Sequence, residues 1–204
     1  HVAMLRLHLK YQTNIVVSGD GSSGKDALIR EVFNQNNLSS AIAGSTREVE
    51  TIQLQSSKSE NTQVFVHNTP GANDYRGQVV DKKRQNAMQL ADIFICVVDV
   101  SRGVSATDLN IVKELGAHGV PILICLNKID LARNATERDQ LIFTAETRIK
   151  EALRRHSGGF KMVPTCFDPD ERLGHPKEGI VPVQNWCIEQ LKNQGKDIEV
   201  IAGL

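Results

Sequence analysis

The 204-residue sequence has no surplus of either charge, with 24 Lys and Arg against 24 Asp and Glu. Its longest basic run is Lys82, Lys83 and Arg84. A footprint of the kind that holds nucleic acid or an anionic membrane is therefore missing, and a small molecule or a protein is the expected partner. Long apolar runs are missing too. Ile93 to Val98 and Val120 to Leu126 fall far short of the ~20 residues that a membrane-spanning helix needs, and they read as buried strands. His1 to Lys10 mixes charged with apolar residues and has no long apolar centre or small-residue cleavage site, so it does not read as a signal peptide. No CxxC pair occurs among the four cysteines, and Cys96, Cys125 and Cys166 lie in or beside strand-like runs. Buried free thiols in a reducing, cytoplasmic compartment are the expectation. The sequons at Asn37 and Asn134 then read as chance matches. Neither internal repeats nor low-complexity tracts are present.

What the chain does have is 40% apolar residues, enough to enclose one substantial core. We expect an N-terminal extension over 1–12, one domain over 13–194 and a tail over 195–204. The His at the start and the apolar run Ile198 to Leu204 at the end would suit a piece of a longer protein.

Short runs rich in β-branched residues at Ile15–Val17, Val64–Val66, Ile93–Val100, Ile122–Leu126 and Met162–Pro164 predict strands. Thr51–Gln55 alternates weakly and predicts an edge strand hairpinned to Val64–Val66. Helical spacing predicts helices over Asp26–Asn36 and Asp108–His118. A charged helix is expected from an N-cap at Thr136 to about His156, and a last helix from Val183 to Asn193. Near-continuous apolar strands alternating with helices imply a mostly parallel sheet covered on both faces.

The chemistry concentrates in two places. After the first strand comes Gly19-Asp20-Gly21-Ser22-Ser23-Gly24-Lys25, followed by a helix. Such a loop lets backbone N–H groups point at an anion, the helix start adds its positive end, and the lysine reaches terminal phosphates. The pattern GxxxxGK arises by chance in roughly one chain in twenty of this length. Its position between strand and helix sets it apart from a plain glycine-rich turn. The fifth strand ends in Asn127-Lys128-Ile129-Asp130. A carboxylate there can accept hydrogen bonds from the ring N–H and the exocyclic amine of guanine, donors that adenine lacks on that edge. Asn127 would hold the loop and the Lys128 stem would cover the base.

With these two motifs in register, the chain resembles the P-loop GTPase superfamily over residues 13 to 194. Gly44-Ser45-Thr46-Arg47-Glu48 resembles the GTTRD switch of the ribosome-assembly and tRNA-modification GTPases. Asn68-Thr69-Pro70-Gly71 stands where they have DTPG, Val97 to Gly103 resembles their VVDA-x-x-G stretch, and Pro164-Thr165-Cys166 stands in place of their Ser-Ala motif. The resemblance implies an α/β G domain, a mostly parallel six-stranded sheet with one antiparallel edge strand and helices on both faces. It implies GTP or GDP held by Asp20, Gly21, Ser22, Ser23, Gly24, Lys25, Asp26, Asn127, Lys128, Asp130, Thr165 and Cys166. Thr46 and Gly71 would be switch residues, with magnesium at Asp26 and Thr46.

Several positions depart from that pattern. Asp26 replaces the Ser or Thr that ligates magnesium, and Asn68 replaces the aspartate that holds the ion through water. One carboxylate ~4 Å from a phosphate costs about 4 kcal/mol at an effective dielectric of 20. Either the two changes compensate, Asp26 supplying the charge that Asn68 lacks, or metal binding has decayed. Ala72 stands where a water-orienting Gln is expected, with Arg76 and Gln78 nearby. The expected function is a guanine-nucleotide-binding pseudoGTPase, a protein-interaction or regulatory module. The alternatives are an active GTP-hydrolysing switch with Asp26 as substitute ligand and, against Asn127, Lys128 and Asp130, an ATP-using enzyme. A protein partner would use the switch loops or helix 136–157. His67, beside Asn68, is either a phosphate sensor or a structural histidine.

Overall fold

The computed structural model describes residues 12–34, 49–54, 62–71 and 78–198. Strands β1 (Gln12–Gly19), β2 (Glu50–Leu54), β3 (Gln63–Asn68), β4 (Ile93–Asp99), β5 (Ile122–Asn127) and β6 (Phe160–Pro164) form one sheet in the order β2-β3-β1-β4-β5-β6. All neighbours run parallel except β2, which pairs antiparallel with β3. The edge hairpin and the parallel sheet are those the sequence predicts.

Among the described residues, five helices cover the sheet: α1 (Lys25–Val32), α2 (Gln78–Leu90), α3 (Ala106–Gly116), α4 (Ala135–Ala152) and α5 (Ile180–Asn193). Alternation along the strands sends Ile15, Val17, Ile95 and Val97 to one face, where Leu28 and Phe33 at α1 and Val183, Trp186 and Leu191 of α5 bury them. Val16, Phe94, Cys96 and Val98 point to the other, beneath Met88 of α2, Val112 and Leu115 of α3 and Ile149 of α4. Both faces of the central strands are thus dry, which is why they read as unbroken apolar runs.

Helix ends depart from expectation where side chains other than the anticipated ones satisfy the first backbone N–H groups. The α4 cap is Asn134, whose Oδ1 accepts from the Glu137 N–H at 2.9 Å. Thr136 is already inside the helix, which stops at Ala152. At α3, Ser105 and Asp108 form a reciprocal capping box, so the helix starts before Asp108. Helix α5 begins at Ile180, earlier than Val183, following Gly179. α2 matches no segment singled out in the sequence, because its apolar stripe is narrow. Its buried positions include Arg84, Ala87 and Met88, and Arg84 forms an ion pair with Glu114 of α3. The loop before α5, expected to be the least regular, holds a 3-10 turn at Glu171–Leu173 and a bridge between Cys166 and Glu178.

Candidate functional site

Chain direction across the sheet reverses at β1, which lies between β3 and β4. At such a point the loops leaving the carboxyl ends of the strands part and open a crevice. The described candidate nucleotide residues lie there, at the carboxyl ends of β1, β5 and β6, on the loops that follow and at the start of α1.

The loop Gly19–Lys25 can take its shape only with glycine at two points. At Gly24, φ is 103° and an added Cβ would stand 2.3 Å from the Asn127 side-chain nitrogen. At Gly19, φ is 152° and the same atom would meet the Val97 carbonyl oxygen at 2.3 Å. Ser22 also takes a positive φ of 60°. The buried Lys25 ammonium folds beneath this loop and donates to the carbonyl oxygens of Gly19 at 3.2 Å and Asp20 at 2.9 Å. No side chain caps the start of α1, so its first N–H groups face the crevice without a side-chain acceptor. Asp20 Oδ1 and the Ser23 hydroxyl are buried and have no hydrogen-bond partner.

Asn127 ties the other loops to this one. Its amide nitrogen donates to the Ser23 carbonyl at 2.9 Å, and its oxygen accepts from the Thr165 hydroxyl at 3.3 Å and the Phe167 N–H at 3.4 Å. One buried side chain thus fixes the spacing between the loops after β1, β5 and β6. Lys128 adopts φ 65°, and its ammonium binds Asp99 at 2.7 Å. Burial alone would push the Asp99 carboxyl up, but hydrogen bonds from Lys128 and Ser101 and the charges of Lys128 and Arg102 outweigh it and hold the group below the usual range. Asp99 was legible only as part of a strand-end motif; its pairing with Lys128 needs the third dimension. Asp130 is 9% exposed and its Oδ2 accepts from the Asp170 N–H at 3.4 Å. Beside it the Cys166 thiol is pushed up to about 12, first by burial and then by the Asp130 carboxylate.

The positions that depart from the family pattern meet each other. The Asn68 side-chain nitrogen donates to Asp26 Oδ1 at 2.8 Å, while Asn68 Oδ1 is buried with no partner. The carboxylate decides this amide orientation, since the reverse would set oxygen against oxygen. A divalent cation wants hard oxygen donors, and the group facing Asp26 here is an N–H. The Asp26 carboxylate, half-buried, is the one suitable donor of the pair, so the couple as arranged fits magnesium poorly. Thr69 follows, fully buried, with its N–H and hydroxyl both on the Val17 carbonyl. Thr46, the second expected metal position, lies outside the described residues, as do Gly44 to Glu48, Ala72 and Arg76. Gly71 is the last described residue of its loop, and Gln78 opens α2.

His67 is not at the crevice. Adjacent strand residues face opposite ways, and its ring bonds the Thr51 hydroxyl at 3.0 Å and Asn14 Oδ1 at 3.1 Å. It is the structural histidine of the two readings. All four cysteines are buried and unpaired.

The sequence profile of the elongation factor Tu GTP binding domain matches residues 10–203. The chain belongs to this family. It is 29% identical over 191 residues to GTPase Der of Rickettsia typhi, covering 90% of this chain and 40% of Der. It is 21% identical over 167 residues to the chloroplastic translation initiation factor IF-2 of Porphyra purpurea, 82% of this chain and 20% of that factor. The chain thus spans less than half of these relatives. Among solved structures, translation elongation factor SelB from Methanococcus maripaludis in complex with the GTP analogue GPPNHP superposes with a TM-score of 0.63 at 18% identity, over 90% of this chain and 35% of SelB. The GTPase-like domain of Ski7 from S. cerevisiae, bound to GDP and inorganic phosphate, gives 0.60 at 14% identity, over 94% of this chain and 52% of that one. These likenesses, like the sheet order, are those of a G domain. Among the described residues, no helix is long and apolar enough to cross a membrane.

Proposed function

We propose that this G domain binds guanine nucleotide and has lost the magnesium-dependent hydrolytic switch, and that it acts as an interaction or regulatory module. The hydrogen bond from Asn68 to Asp26 carries the reading. In an active domain of this type the ends of β1 and β3 would be joined through a cation and the terminal phosphate. In this chain an amide at the end of β3 and a carboxylate at the start of α1 meet directly. The end of β3 is then tied to α1 by this chain's own side chains, and Asp26 adds negative charge where a triphosphate would arrive. GDP should bind better than GTP, with little dependence on magnesium.

Support for a guanine site comes from the loop Gly19–Lys25, with Lys25 for phosphate, and from Asn127, which ties that loop to the β5 end from which Asp130 follows. Asp20 to Asp26, Lys128, Thr165 and Cys166 complete the proposed nucleotide contacts. A second reading, an active switch with Asp26 as metal ligand, has one observation in its favour: the buried Asn68 oxygen without a partner, which an amide rotation would bring into play.

The test is to denature the purified protein, identify any released nucleotide, and titrate GDP and GTP with magnesium or chelator while measuring phosphate release. Asp130→Asn should turn preference from guanine toward xanthine nucleotides, and Lys25→Ala should abolish binding. Steady magnesium-dependent GTP turnover would replace the first reading by the second. Unchanged guanine preference in Asp130→Asn would remove Asp130 from the base site.

A further inference from the structure

Helices α3 and α4 both return across the sheet after parallel strands, so they lie side by side over one face, and a groove of about 410 Å³ runs between them. It shares none of the candidate nucleotide residues, and Arg148 alone also lines the neighbouring cleft that holds Asp20 and Ser23. Its lining is one-sided in charge. Lys113, Arg148, Arg154 and Arg155 face a single carboxylate, Glu151. Four cations against one anion leave a surplus of three, in a chain whose total is zero.

Much of that charge is uncommitted. Arg154 pairs with Glu151 at 3.0 Å, and Arg148 spends one guanidinium nitrogen on the Val104 carbonyl. Among the described residues neither Lys113 nor Arg155 has a counter-ion, and both are exposed. Between the cations lies an apolar floor, Leu109 and Ala152, half-buried and packed against the core.

We propose that this groove docks an acidic segment of a partner protein, its carboxylates taken by Lys113, Arg148 and Arg155 and an apolar side chain laid on Leu109 and Ala152. Guanidinium groups on an exposed helix face suit carboxylates, which they can hold bidentately. A nucleic acid fits less well. Its binders spread cations along a backbone track and stack bases on aromatic rings, whereas this groove has no aromatic lining and is sized for a few side chains. The inference gives the interaction role proposed above a surface and a partner chemistry. It rests on that role but not on nucleotide binding, so the two can fail separately.

The experiment is fluorescence anisotropy on the full chain, with and without GDP, using a labelled Glu-rich peptide with central leucines. A Gln-for-Glu counterpart and a single-stranded RNA of equal charge serve as comparisons. The peptide should bind the parent and lose about tenfold or more in Lys113→Glu/Arg155→Glu, with a smaller loss in Lys113→Gln/Arg155→Gln. Binding should weaken with salt, and the Gln peptide should not bind. Both pairs replace exposed side chains, so circular dichroism and GDP affinity should match the parent. No binding by the parent, equal binding by the charge-reversed variant, or tighter binding of the RNA would each overturn the proposal.

Discussion

Replacing Asn68 by Asp would convert the joint between α1 and β3 from attraction to repulsion. The amide nitrogen stands 2.8 Å from Asp26 Oδ1. Losing this charge-assisted hydrogen bond costs ~1.5–3 kcal/mol, and a carboxylate oxygen at the same distance adds about 6 kcal/mol of repulsion at an effective dielectric of 20. Asp26 is only half-buried, so water and side-chain movement recover part of this, and a net loss of about 3–5 kcal/mol is expected. That is a large share of the ~5–15 kcal/mol of a typical domain. The loss should shrink on acidification, because two facing carboxyls keep one proton between them, and on adding magnesium, which the new pair can ligate. Asp26→Ser combined with Asn68→Asp should recover most of the stability, since the serine hydroxyl can donate to the new carboxylate. The same double change should make GTP binding tighter and magnesium-dependent. Urea unfolding of the parent, both single variants and the double variant, in chelator and in magnesium, gives the coupling directly. A single Asn68→Asp variant within about 1 kcal/mol of the parent in chelator would refute the contact as the joint, and the magnesium argument with it.

Gly24→Ala should cost about 3 kcal/mol and impair nucleotide binding, since a Cβ would strike the Asn127 amide and φ is unfavourable; denaturant midpoints and calorimetric titration check this. The thiols of Cys96, Cys166 and Cys187 are pushed up to about 12 by burial, and Cys125 is raised well above its ordinary value. An alkylating reagent at pH 8 should therefore label none of them in the folded chain and all of them in urea. Burial lowers the His67 pKa from its ordinary 6.5, so below about 6.5 the unfolded chain binds a proton that the fold refuses. Stability should then fall as pH drops, and His67→Gln should flatten that part of a pH series of unfolding curves.

The sequence by itself determined the sheet. Strands buried on both faces must be apolar throughout, so Ile93 to Val98 and Ile122 to Leu126 declare themselves. The weaker alternation of Thr51 to Gln55 marks the edge. The glycine-rich loop was legible because backbone approach and positive φ leave little choice of residue at Gly19 and Gly24. Helix α2 was not, because most of its residues are polar and one of its buried positions is an arginine held by another helix. The N-cap of α4 was expected at Thr136 and is Asn134, since either side chain can accept an N–H and only the folded chain selects one. Tertiary structure alone decided which departures from the family pattern are partners. Asp26 and Asn68 are 42 residues apart, and Lys128 and Asp99 are 29 apart. A hydrogen bond depends on distance and direction between atoms, and those are set only when β1, β3, β4 and β5 are laid side by side in one sheet.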